Sequence, residues 1–220
     1  MTTSLEQITG LRPVAAEPLS FDREYEIRAF MLERERGNLL VYNTGSLEAE
    51  VRELLDRGGV QRQYLNHEHE SLFGSDRGAQ GLGAKLLVHR DDAGKVEGRG
   101  WAVSHTFSRR HTLDDDFEVL PIPGHTPGAT AFLWDSGEGR VLFTGDSLYV
   151  RDGEWVAALL ASSDRNRYLG SLQLLSELEF DYLVPWLAPN GGPYAFPVTR
   201  DEARERIAAV VSDLRDRRST

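Results

Sequence analysis

The chain has 220 residues, a formal charge of −10 and no cysteine. The acidic balance without a basic stripe is the wrong complement for a phosphate backbone and speaks against a nucleic-acid partner, and the lack of thiols excludes disulfides, thiolate metal ligands and a Cys nucleophile. The length suits one α/β unit, with residues 1–220 as a single domain; residues 1–13 lack the basic start and apolar stretch of a leader, and the longest apolar run, 155–161, is too short to cross a bilayer, so a cytoplasmic protein with no membrane partner is expected.

Residues 25–33 alternate through Ile27, Ala29 and Met31, which predicts a half-buried strand. Arg36-Gly37-Asn38 is a turn, and residues 39–42 are its hairpin partner. Ser46 is placed to cap a helix with an apolar face of Leu47, Val51, Leu54 and Leu55, stopped by Gly58-Gly59. A strand over residues 60–65 then delivers His67 and His69. Residues 75–84 read as a glycine-broken helix and 85–89 as a strand ending at His89, a packed or edge histidine. Residues 98–116 form a polar insertion holding His105 and His111, expected in solvent but long enough to fold over a site, with His105 the group it would bring there. Its Asp114-Asp115-Asp116 run is expected to be a solvated turn, since it lacks the ligand spacing of a calcium loop.

Residues 117–122 predict a strand, and 129–134 with 140–143 a hairpin turned at Ser136-Gly137. Ser163 is expected to cap a helix through Tyr168, Leu172 and Leu175, and residues 183–185 to form a short strand. Thr199 with Glu202 makes a capping box for a closing helix through Ile207, Val210 and Leu214. Hairpins in both halves with helices between them predict two mixed sheets packed face to face, helices outside.

Three separated signals carry the chemistry: His67-Glu68-His69, then Pro123-Gly124-His125-Thr126-Pro127-Gly128, then Thr144-Gly145-Asp146. Imidazole and carboxylate are ligands of zinc and of ferrous iron. Residues two apart on an extended segment point the same way, so His67 and His69 can both reach one ion. A third ligand must come from elsewhere, and His125 sits in a loop stiffened by prolines and turned by glycines. Asp146 supplies the carboxylate at a strand end. Such a set leaves a position open for water and brings that water's pKa to about 7.

On these segments, together with Leu39-Leu40-Val41-Tyr42-Asn43-Thr44-Gly45, the chain resembles the metallo-β-lactamase superfamily over most of its length. The resemblance implies an α+β fold, the αββα sandwich, with His67, His69 and His125 holding a first metal and Asp146 at the position that bridges two metals in relatives. The family's first motif is His-x-His-x-Asp-His, whereas this chain reads His67-Glu68-His69-Glu70-Ser71-Leu72, and the family's final histidine falls at Leu187. The second metal would keep only Asp146. One divalent ion per chain is therefore expected, zinc before iron. Glu70 stands one position early for the missing Asp; it is expected in an exposed loop unless that loop swings it toward the metal as a base or ligand.

The expected function is a mononuclear metal-dependent hydrolase in which metal-bound hydroxide attacks a small-molecule ester, thioester, lactone or amide, with Asp146 and Glu70 as candidate catalytic groups. Loss of a second ion disfavours phosphodiester more than acyl chemistry. A second expectation is a non-haem iron enzyme using His67, His125 and Asp146, similar to the superfamily's sulfur dioxygenases. A third is a degenerate, non-catalytic binding protein. Specificity is expected in residues 71–83, 98–116 and 152–164, with Tyr149 and Trp155 as candidate pocket walls. Oligomeric state is left open.

Overall fold

Side chains that alternate along the strands decide how this chain stacks. The computed structural model describes residues 8–216, so expectations about residues 1–7 and 217–220, the leaderless start and the outer limits of a single domain, lie outside the described residues. The first half runs β1 (Leu11–Pro18), β2 (Tyr25–Leu32), β3 (Leu39–Val41), α1 (Leu47–Asp56), β4 (Arg62–Tyr64), α2 (Arg77–Leu82), β5 (Lys85–His89), α3 (Arg90–Gly98) and β6 (His105–Phe107). A short 3-10 turn, Glu68–Leu72, lies between β4 and α2. The second half runs β7 (His111–Leu113), β8 (Phe117–Pro121), β9 (Thr130–Asp135), β10 (Arg140–Gly145), β11 (Tyr149–Arg151), β12 (Glu154–Val156), α4 (Arg165–Glu177), β13 (Tyr182–Pro185), β14 (Leu187–Pro189), β15 (Phe196–Pro197) and α5 (Arg200–Asp216).

One mixed sheet has the order β1-β2-β3-β4-β5-β6, with β14 also on β2; the other has the order β15-β13-β10-β9-β8-β7. On β9 and β10, Phe132, Trp134, Val141 and Phe143 face the first sheet, while Ala131, Leu133 and Leu142 face α4 and α5. The period of two thus feeds two cores from one sheet. Phe30, Tyr42, Tyr64, Phe117 and Phe143 fill the space between the sheets. Leu47 and Leu54 of α1 cover the first sheet with Leu40 and Met31, and Val96 and Trp101 cover it with Leu65 and Val88. The result is the expected four-layer αββα sandwich. Among the described residues, no helix is long and apolar enough to cross a membrane.

Several local expectations change. Strand β2 is buried on both faces rather than one, because a helix layer covers one face and the second sheet the other. Leu55 is 48% exposed, so the buried face of α1 is Leu47 and Leu54. Ser46 precedes α1 without a side-chain cap bond. Helix α3 was not anticipated, and its N-cap is His89, whose Nδ1 accepts from Asp91 N. The insertion at 98–116 does not fold over a site. Its β6 closes the edge of the first sheet and its β7 opens the edge of the second, so the segment is spent crossing between sheets. Asp114 and Asp116 in that segment are held by the buried Arg34 guanidinium. Asp164, not Ser163, caps α4 by accepting from Arg167 N. The Thr199–Glu202 capping box forms, with Thr199 N donating to Glu202 Oε2 at 2.9 Å and Glu202 N to Thr199 Oγ1 at 3.4 Å.

Candidate metal centre

Strands β4 and β10 each have a parallel neighbour, and their C-terminal ends open on the same side, where α/β sheets place ligands. His67 leaves the end of β4 in extended conformation, and the chain then tightens into the 3-10 turn that carries His69. The pair therefore does not share an extended segment as the spacing suggested; the turn brings His69 round. Asp146 follows Gly145, whose φ of +57° and contact with Asn66 exclude a side chain: a Cβ there would meet Asn66 Oδ1 at 1.8 Å. His125 comes from the loop after β8.

These four residues place one ligand atom each within 4.8 Å of all the others. His69 Nδ1 and His125 Nε2 are 3.1 Å apart, and His67 Nε2 and His125 Nε2 each stand 3.5 Å from Asp146 Oδ2. A tetrahedral ion with bonds of about 2.0–2.1 Å separates its ligand atoms by about 3.3 Å, so the spacing fits one such ion.

The outer nitrogen of each imidazole fixes which nitrogen faces inward. His125 Nδ1 donates to Ala158 O at 2.7 Å, leaving a lone pair on Nε2. His69 Nε2 stands 3.3 Å from Glu68 Oε1, a carboxylate that favours the proton on Nε2 and a free Nδ1. His69 Nδ1 lies 3.1 Å from His125 Nε2: with its proton on Nδ1, His69 donates a hydrogen bond to His125, and with its proton on Nε2 beside Glu68 both facing nitrogens are free for a cation. Both nitrogens of the fully buried His67 lack a hydrogen-bond partner: Glu70 Oε1 is 3.6 Å from Nδ1 and Asp146 Oδ2 is 3.5 Å from Nε2, longer than formed hydrogen bonds. The donor set is hard and borderline, nitrogen and oxygen, and suits zinc or ferrous iron.

The electrostatics agree that the cluster attracts positive charge. Burial alone would lower the pKa of His67, but the carboxylates of Asp146 and Glu70 outweigh it and raise it to about 10. His69 is lowered to about 4 by burial and by the charges of His67 and His125. Burial and His67 also lower His125. Asp146 is held below the usual carboxylate range by His67 although burial opposes this.

Glu70 is neither in an exposed loop nor among the converging ligand atoms. It is fully buried behind His67, where Oε1 accepts from Asn66 N at 2.5 Å and His67 N at 3.2 Å, and burial raises its pKa. The reason is the 3-10 turn, which folds residue 70 back onto residue 67. His105 and His111, on edge strands, lie outside the cluster. Ser71, where the resemblance expects an Asp ligand, donates to Glu68 O at 2.7 Å and accepts from Arg99 at 2.9 Å. Leu72 and Leu187 line the cavity beside the cluster, as do Tyr149 and Trp186; Trp155 instead packs on Phe180 under α5.

Sequence reading missed the groups that hold the ligands. Asp92, fully buried on α3, accepts from Glu68 N at 3.0 Å, Thr126 Oγ1 at 2.7 Å and Gly128 N at 2.8 Å, tying the His67–His69 turn to the His125 loop. A Cβ on Gly128 would meet that carboxylate at 2.6 Å, which is why the loop needs glycine there. Glu68 accepts from Lys95 at 2.7 Å and pairs with the Arg99 guanidinium at 2.5 Å, and those cations keep it ionised against burial. Ala158 donates its N–H to Asp146 O at 3.2 Å, so one residue braces two ligands. Ser163 Oγ donates to His125 O at 2.9 Å. The signal available was the acidic first turn of α3, Asp91-Asp92, directly after a strand.

Comparison with known proteins shows the family and the fold. Curated relatives include hydroxyacylglutathione hydrolases of Anaeromyxobacter dehalogenans, 33% identical over 41% of this chain and 34% of the relative, and of Shewanella baltica, 31% identical over 54% and 44%. The matched segments thus span less than half the length of these relatives. Solved structures with the same fold include a metallo-beta-lactamase from Pontibacter korlensis, with TM-score 0.71, 14% identity and coverage of 94% of this chain and 100% of that one. ETHE1 from Myxococcus xanthus matches with TM-score 0.64, 17% identity and coverage of 94% and 90%. Residues 51–185 match the family model of the metallo-beta-lactamase superfamily, which takes in His67, His69, His125 and Asp146, and the chain belongs to that superfamily.

Proposed function

We propose that this protein is a hydrolase that uses one divalent metal ion, zinc first, to cleave an acyl bond of a small molecule: an ester, thioester, lactone or amide. The observation that carries the reading is the convergence of three imidazole nitrogens and an Asp146 oxygen at one point, with each outward nitrogen facing a carboxylate or carbonyl. A divalent ion bound there supplies a lowered pKa for water and polarises a carbonyl oxygen. His67, His69 and His125 hold the ion. Asp146 contributes a ligand oxygen or holds a proton of the attacking water through the small part of its carboxylate that reaches the cavity. Water adds to the carbonyl carbon, the bond to oxygen, sulfur or nitrogen breaks, and the leaving group takes the proton. Glu70, sealed from the cavity, positions His67 and exchanges no proton with substrate.

Support also comes from the curated relatives, whose names describe hydrolysis of hydroxyacylglutathione, and from replacement of the other ligand positions by Ser71, Leu72 and Leu187. A second reading rests on Asp146 being equidistant, 3.5 Å, from His67 and His125, a two-histidine, one-carboxylate face suited to ferrous iron and oxygen chemistry. The experiment is reconstitution of chelator-treated protein with zinc or with iron under anaerobic conditions, followed by ester and thioester hydrolysis and by oxygen uptake with persulfide. Zinc-dependent hydrolysis without oxygen uptake is expected; iron-dependent oxygen uptake without hydrolysis would replace the first reading by the second.

A further inference from the structure

Where the superfamily's other ligands are missing, the chain has an apolar wall. The cavity beside the cluster has a volume of about 480 Å³, within the range of small-molecule sites. Ile27, Leu72, Phe73, Trp186 and Leu187 line it. Large exposed apolar side chains are few among the described residues, and three of them, Phe21, Leu72 and Leu160 at 79%, 59% and 42% exposure, border this one cavity. They come from three different loops. Single exposed leucines need no explanation, but three converging on one mouth mark a binding surface.

Charge narrows the ligand. Among the described residues, Arg151 is the one arginine or lysine on the lining, and its guanidinium stands 3.2 Å from Asp22 and 5.4 Å from the centre of the Tyr25 ring. Asp22 and Asp146 also line the cavity, so an anionic tail meets two carboxylates and a cation already paired. A neutral chain meets apolar wall.

Resting on the hydrolase reading, we propose that this cavity is the acyl subsite for a neutral, unbranched aliphatic acyl group, which lies along Leu72 and Leu187 with its carbonyl at the His/Asp cluster. Leu72, Leu187 and Leu160 are then specificity-determining residues. A multiply charged conjugate, such as a glutathione thioester, is a poor substrate.

Two series test this. Neutral methyl ketones from 2-butanone to 2-nonanone are titrated into metal-free protein, with binding read by tryptophan fluorescence, since Trp186 lines the cavity. Nitrophenyl esters from acetate to octanoate are then assayed with metal-loaded protein, beside S-lactoylglutathione. Affinity and kcat/KM are expected to rise about fourfold per methylene, the equivalent of about 0.8 kcal/mol. The double variant Leu72→Gln, Leu160→Gln changes only exposed side chains, so it keeps the fold, and it is expected to flatten both series to less than twofold per methylene. A flat ketone series, or a preference for S-lactoylglutathione over the octanoate ester, overturns the acyl subsite while leaving the hydrolase reading standing. A rising ketone series with no ester cleaved supports the apolar site and overturns the hydrolase reading.

Discussion

The two halves of the centre differ in how much of the molecule is committed to supporting them. Each imidazole of the cluster faces a further group: His67 faces the Glu70 carboxylate at 3.6 Å, His69 faces Glu68 with Lys95 and Arg99 behind it, and His125 donates to the carbonyl of Ala158. The positions where the family motif has further ligands lack such support. Ser71 is bonded to Glu68 and Arg99, while Leu72 and Leu187 present hydrocarbon to the cavity. The difference follows from the cost of burying polar groups. A ligand set aimed at one point must have its remaining donors and acceptors satisfied, whereas an apolar wall has none to satisfy. On the proposed function, the supporting network marks the half that would hold an ion.

Breaking that network ranks its parts. His125→Ala removes a ligand outright and, at several kcal/mol of lost transition-state stabilisation, is expected to cut hydrolysis at least about a thousandfold. Circular dichroism checks that the fold persists. Asp92→Ala leaves three donors buried without an acceptor and is expected to cost about 2–5 kcal/mol in urea unfolding. It also lowers metal affinity about 10- to 100-fold by releasing the two ligand loops from each other. Unchanged unfolding would show that the loops hold without Asp92. Glu70→Gln keeps an acceptor oxygen but removes the charge facing His67; metal titration is expected to show affinity down about tenfold with little change in stability. The smallest effect belongs to the half of the molecule away from the site. Thr199→Ala removes one cap of α5 for about 1 kcal/mol and leaves metal affinity unchanged.

The same contrast explains what could be read from the sequence. The four clustered residues were legible because each lies in a short motif where a strand meets a loop, and the sandwich was legible from the hairpins and intervening helices in both halves, although β9 and β10 are buried on both faces. The supports were not. Asp92 acts on residues 24 to 36 positions away, from a helix whose sequence, with Gly94 and Gly98, has a weak apolar face. Glu70 was misjudged because a 3-10 turn replaced the extended segment assumed from the His67–His69 spacing. Ser163 and Asp164 are both good capping residues, and only the path of the His125 loop decides between them. The cavity's mouth was partly missed: residues 19–25, between β1 and β2, form one wall although no motif lies there.

Metal stoichiometry tests the halved centre most directly. Chelator-treated protein, titrated with zinc and then passed through a desalting column, is analysed for metal per chain by mass spectrometry. Saturation at one ion per chain, lost in His125→Ala, is the predicted result. Two tightly held ions per chain, or none, would contradict it.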